Sequence, residues 1–287
     1  MQKKLLTLFT LSPLHVGSGS SVGIVDLPIM RERHTQIPVI PGSSLKGVLA
    51  DLWSSDYEKN KRGDLVRKAG SPAEILFGSQ DDNNPKAGSL LIGEARVVLF
   101  PVRSLKGGFA WITSPLALSR LSRDISAKLQ MPPSPTASEC LCSDTVKMDG
   151  TQTVILEEYT VTAKCGGSFP VEWAREFTLM LPEETQKLAD GRLVLVSDEL
   201  FMHFCENACQ ISTRIKLNDE KGVVEKGALF TMEQVPSETL LAGVLHTSNE
   251  DSFKVLESKL ASPDVGSVIQ IGGDETIGLG LCKINLR

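Results

Sequence analysis

Strand and helix signals succeed one another along this chain without the regular βα rhythm that builds a parallel doubly wound sheet, and that irregular order points to an α+β fold. Residues 5–11 read as an opening strand. Residues 15–23, with three serines, three glycines and almost no bulk, read as a loop. A short apolar run at 37–40 contains Pro38 and stops at Pro41; Gly42 sets a turn, and Ser43 or Ser44 supplies an N-cap for a helix through Trp53. Residues 88–101 suggest a strand or two. Ser114 and Pro115 open a helix with Leu118, Leu121, Ile125 and Leu129 on one face, ended by Pro132, Pro133 and Pro135. Residues 151–162 alternate as a strand does, and Ser197 or Asp198 caps a helix to about Ala208.

The clearest hairpin lies at 210–232, where residues 210–217 and 223–232 flank a polar turn at 218–222. Beyond it come a strand at 238–246, a helix at 249–260 and closing strands at 265–271 and 279–286. A chain of 287 residues with 41% hydrophobic content buries a sizeable core, and residues 1–287 read as one domain carrying insertions. The apolar segment 5–11 is far shorter than the ~20 residues of a membrane span. Six cysteines are too sparse for a disulfide framework, so a reducing, cytoplasmic setting is expected. The net charge of −5 excludes a protein that grips free nucleic acid over its whole surface. Residues 1–70, however, hold ten Lys and Arg against six Asp and Glu, a local balance of +4 that leaves −9 for the remainder.

Residues 23–47 read GIVDLPIMRERHTQIPVIPGSSLKG. Within them IPGSSLKG, residues 40–47, resembles the strand-to-helix turn of the RAMP superfamily, and VDLPIMRERHT, residues 25–35, is similar to a loop of the backbone subunit of type III-B CRISPR Cmr complexes. GALFTMEQVPSETL, residues 227–240, resembles a segment of the same subunit, and IGGDETIGLGLCKI, residues 271–284, the family's glycine-rich closing loop. Four ordered matches span nearly the whole chain. The resemblance implies a modified ferredoxin-like, RRM-related palm with inserted loops and a β-hairpin thumb at 210–232. It also implies copies stacked head to tail on a CRISPR guide RNA among other Cmr subunits, and cleavage of the paired target RNA at regular intervals.

The resemblance makes Asp26 the residue required for cleavage. Either it holds a divalent cation, Mg or Mn, beside the scissile phosphate, or it orients the attacking 2'-hydroxyl as a weak base. The metal role is favoured, because an ordinary aspartate, with a pKa of about 3.9, is a poor base at neutral pH but a good ligand for a hard cation. His15, at the mouth of the small-residue loop, reads as a proton shuttle, a phosphate contact or a partly buried strand-end histidine. Ser43, Ser44 and Lys46 sit where a helix start attracts an RNA phosphate, although an ordinary capped helix accounts for the same serines. Gly272 and Gly273 permit close backbone approach to RNA or a tight turn, and Asp274 and Glu275 would repel phosphate there. Arg31 is a phosphate candidate, with Arg33 and His34 behind it. Arg214, Glu225 and Glu233 lie on or beside the hairpin, as a cation and auxiliary acids reaching RNA or as its solvent face.

His203, Cys205, Cys209, Cys140 and Cys142 lack paired C-x2-C spacing and read as core residues rather than a zinc site. With few aromatics, recognition rests on duplex shape and backbone rather than on rows of stacked bases. Two other readings stay open: a scaffold that binds guide RNA without cutting, and a single-copy RAMP nuclease that processes precursor guide RNA.

Overall fold

The computed structural model describes the chain except residues 22, 61, 82–84, 165–166, 190 and 218–223; the side chains of residues 216–228 also lie outside the description. The opening strand β1 (Gln2–Thr10) is buried from Leu5 onward because it runs through the middle of a sheet covered on both faces. Side chains alternate across a strand. Leu6 and Leu8 accordingly enter one core with Leu45 and Leu49 of helix α1 (Gly42–Asp51). Leu5 and Phe9 enter another with Leu118 and Leu121 of helix α2 (Pro115–Asp124).

Four long strands make the centre of this sheet, with β2 (Ala95–Ser104), β5 (Leu240–Thr247) and β6 (Leu281–Leu286) joining β1 in the order β6–β1–β5–β2. Every neighbouring pair is antiparallel. Helix α1 lies in the connection from β1 to β2, and helix α4 (Glu250–Leu260) in that from β5 to β6.

β2 continues past the sheet. From Phe100 to Ser104 it pairs with Gly108–Thr113, and four further short strands lead back to it at Ser104 opposite Leu156, closing a barrel-like ring of six. Membership of both sheets explains why ARVVLFPV is almost continuously apolar. The strand expected at 151–162 is two strands of this ring, Thr153–Leu156 and Tyr159–Ala163, folded back at Glu157 with φ +51°.

The hairpin of β3 (Gln210–Leu217) and β4 (Val224–Gln234) stands apart as its own two-stranded sheet, paired from Gln210 opposite Gln234 to Ile215 opposite Leu229. Its expected turn at 218–222 falls within the residues left undescribed. Helix α3 (Asp198–Asn207) precedes it, and Ser197 is the N-cap, accepting from Leu200 N–H at 3.2 Å. Two helix expectations change. α2 stops at Asp124 because Ile125 turns extended to bury itself in the core, which takes Leu129 off its face. α1 begins at Gly42 after Pro41 and ends at Asp51, before Trp53; neither Ser43 nor Ser44 caps it, because both lie inside the first turn. A Cβ at Gly42 would collide with the Ile92 carbonyl, so only glycine lets the helix start this close to the neighbouring chain. Among the described residues no helix is long and apolar enough to cross a membrane.

Candidate active site

Beyond β1 the chain becomes a strap laid along β4. Leu14 exchanges two 2.8 Å backbone hydrogen bonds with Val235. After a loop the strap returns, and Leu27 donates to the Thr231 carbonyl and accepts from Glu233 N–H, both at 3.0 Å. Between these anchors Met30 N–H donates to Val16 O at 2.8 Å, so the two limbs of the loop also hold each other. The tip they support carries Asp26.

Asp26 is exposed, yet fixed. Its Oδ2 accepts from Thr231 N–H at 2.7 Å and from the Thr231 hydroxyl at 2.9 Å, while its own N–H donates to that hydroxyl oxygen at 3.0 Å. The Thr231 backbone N–H, and then its hydroxyl, hold the Asp26 carboxyl below the usual carboxylate range. The group is therefore ionised at neutral pH, and no described residue donates to Oδ1.

Glu233 lies two residues beyond Thr231 on the same strand face but is turned inward. Its Oε2 accepts from Ile29 N–H at 3.0 Å and its Oε1 pairs with Arg31 at 2.5 Å. It clamps the strap to β4. Arg31 is committed likewise: its guanidinium also donates to the carbonyls of Gln36 and Cys205 and to Cys209 Sγ, and its side chain is 12% exposed. A phosphate would have to displace these partners. His15 is buried with Nδ1 2.7 Å from the Glu233 carbonyl. A carbonyl only accepts, so Nδ1 is the donor in this contact, and Nε2 lies against Gly17.

The closing loop meets the strap from the other side. Gly273 N–H donates to His15 O at 2.9 Å and Gly280 N–H to Pro13 O at 2.8 Å. A Cβ on Gly272, at φ +84°, would collide with the His15 carbonyl, so the fold itself requires this glycine. Arg214 belongs to the opposite hairpin face from Thr231, since Thr213 is the cross-strand partner of Thr231. There it pairs with Asp274 of the closing loop at 3.3 Å. Ser43 is exposed in the first turn of α1 and Lys46 just past it; the helix has no side-chain cap and its first turn no acidic residue. Glu225 lies in β4 with its side chain outside the description.

A family model described as the RAMP superfamily matches residues 7–283. The chain belongs to the RAMP superfamily. This RAMP protein is 34% identical over 294 residues to the CRISPR system Cmr endoribonuclease Cmr4 of Pyrococcus furiosus, covering 100% of this chain and 96% of that relative. It is 33% identical over 88 residues to the CRISPR system Cms endoribonuclease Csm3 of Streptococcus thermophilus, which covers 29% of this chain and 38% of that protein. The crystal structure of oligomeric Cmr4 from Pyrococcus furiosus superposes with a TM-score of 0.73 at 28% identity, covering 100% of this chain and 98% of the other. A chain of the type III-B Cmr-beta complex bound to cognate target RNA shares the fold, with a TM-score of 0.72 at 20% identity and coverage of 100% and 97%.

Among the described residues of this RAMP protein no group of three or more His, Cys, Asp or Glu could hold a metal ion. Asp26 with its free Oδ1 suits a small hard cation that takes its other ligands from phosphate and water, as Mg commonly does. It does not suit an all-protein cage. At 203–209 Cys205 is buried in the core and Cys209 Sγ accepts from Arg31 at 3.4 Å, and burial pushes the Cys209 thiol up to about 12. Cys140 and Cys142 are buried in the core.

The charged loop at 31–35 also folds in an unexpected way. Glu32 is buried and pairs with Arg120 at 2.9 Å and Arg96 at 3.2 Å, while His34 and Arg33 remain exposed. Burial pushes the Glu32 carboxyl up, and Thr35, Arg120 and Arg96 together outweigh it and hold the group low. Thr231 is the functional residue that sequence reasoning missed. Its one signal is the spacing TME, which sets it on the same strand face as Glu233.

Proposed function

We propose that this RAMP protein is a guide-RNA-binding backbone subunit of a type III-B CRISPR effector complex, and the endoribonuclease that cuts guide-matched target RNA in it at regular intervals. The observation that carries this reading is an ionised Asp26, fixed by Thr231 at an exposed loop tip with one oxygen free of any partner among the described residues. The 34% identity to a Cmr endoribonuclease over the whole chain supports it, as does the likeness to an oligomeric Cmr4 crystal structure for stacking of copies. The order β6–β1–β5–β2 with α1 and α4 in the crossovers fits a ferredoxin-like palm, and the separate β3–β4 hairpin its thumb.

A divalent cation, Mg or Mn, held by Asp26 Oδ1 would supply positive charge at a phosphoryl oxygen. The chain's own part is positional. Thr231 aims Asp26 and lowers its pKa, and the Glu233–Arg31 pair keeps the strap seated on β4. With its pKa held low, Asp26 is better suited to orient a 2'-hydroxyl than to deprotonate it.

The test is cleavage of guide-matched RNA by the reconstituted complex. Regularly spaced products that require a divalent cation are the expected outcome, and a complex that assembles and binds target yet never cuts is a scaffold. A second prediction follows from Thr231. Thr231→Val removes the hydroxyl donor but keeps the backbone N–H, so the Asp26 pKa rises toward its ordinary value. The acid limb of the cleavage pH profile is expected to move to higher pH while the neutral plateau keeps its shape. An unmoved limb would mean that ionisation of Asp26 does not govern the acid side.

A further inference from the structure

On the hairpin face turned away from Asp26, Arg214 reaches off β3 and meets Asp274 in the glycine-rich closing loop. The contact is single, from Nη1 to Oδ2 at 3.3 Å, rather than the two-pronged fork that an arginine and a carboxylate form when the pair is built for stability. Both side chains are partly open, at 24% and 33% exposure. The remaining guanidinium donors have no partner among the described residues. Asp274 is held at φ +64°, a left-handed backbone that aspartate tolerates better than most residues, so the loop presents its carboxylate at this spot by construction. Directly across the ladder from Arg214 stands Phe230, half-buried, an apolar neighbour for a sugar or base.

We propose that Arg214 is a phosphate-binding residue guarded by Asp274, whose carboxylate occupies the guanidinium until an RNA phosphate replaces it. This rests on the RNA-binding reading above and adds to it a ligand-responsive link between thumb hairpin and closing loop. An exposed, single-point ion pair contributes little, so exchange of one anion for another is energetically easy.

The experiment titrates the 287-residue chain with fluorescent guide-length RNA over a range of salt concentrations, comparing Asp274→Asn, Arg214→Ala and the double variant. Asparagine keeps the size and the left-handed tolerance of aspartate, so the loop stays folded. Asp274→Asn is expected to bind RNA several-fold more tightly at low salt. Arg214→Ala is expected to bind several-fold more weakly, with a log–log salt slope shallower by about 0.7, the value for one phosphate contact on a single strand. In the Arg214→Ala background the gain from Asp274→Asn must vanish. If it persists, the carboxylate repels RNA generally and does not guard Arg214, and the proposal falls. If Asp274→Asn binds no more tightly than the parent, it falls as well. A parent chain that binds no RNA at any salt instead overturns the RNA-binding reading itself.

Discussion

Asp26→Ala is expected to reduce target cleavage in the assembled complex by about a hundred- to a thousandfold, the range seen when one aimed electrostatic group is removed from a reacting centre. Guide loading, target binding and the melting temperature should stay at the parent values. The reason lies in how Asp26 is held. Its carboxylate is exposed and, among the described residues, bonded only to Thr231, whose N–H and hydroxyl turn to water once the acid is gone, so no buried polar group is stranded. The strap does not depend on it either, because Leu14, Leu27, Ile29 and Arg31 are anchored to β4 independently. Asp26→Asn sharpens the test. The amide oxygen can still accept from Thr231, so the loop keeps its geometry while the charge disappears. Cleavage that survives in Asp26→Asn would mean that placement, not charge, is what the residue supplies. Cleavage that survives in Asp26→Ala would remove it from the reaction and leave the scaffold reading standing.

The strap shows why part of this site was legible in the sequence and part was not. Loop 15–23 announces itself by its small residues, and both hairpin strands by their alternation, since these are local patterns with a local cause. Thr231 and Glu233 act on residues some two hundred positions earlier, and no spacing rule reaches that far; both look like ordinary hairpin residues until the strap is laid against them. The partners of Arg31 and Glu32 were hidden in the same way. Charged residues in a polar loop usually face solvent, whereas here Arg31 meets the buried Glu233 and Glu32 is itself buried against Arg120. The glycine-rich loop was legible as a place of close approach, but what approaches it in this structure is the His15 carbonyl. The six-stranded ring was the least visible part, because its strands run as short as the three residues Leu193–Leu195 and are separated by helices and turns. Strands that short carry too few alternations to stand out from loops.

Arg31 separates the two readings of its loop more sharply than any other residue. As a surface phosphate ligand, Arg31→Ala would weaken RNA binding and leave folding alone. The structure points the other way. Its side chain is 12% exposed against 10% for Glu233, and truncation would strand the Glu233 carboxylate together with the Cys205 and Gln36 carbonyls. Removing one partner from a buried ion pair typically costs about 3–5 kcal/mol, which is a large share of a domain's stability. Urea unfolding of Arg31→Ala should therefore show a much lower midpoint with an unchanged slope. Arg31→Met with Glu233→Gln should recover part of that loss, because no unpaired charge remains and the glutamine oxygen can still accept from Ile29 N–H. The double variant also measures what the clamp does for the reaction. If the pair only stabilises, cleavage returns along with folding. If the pair positions the strap, the folded double variant still cuts slowly, because Asp26 is carried on a tip whose base is no longer pinned to β4. An unchanged unfolding midpoint in Arg31→Ala, accompanied by weaker RNA binding, would instead return Arg31 to the phosphate-binding role first read from the sequence.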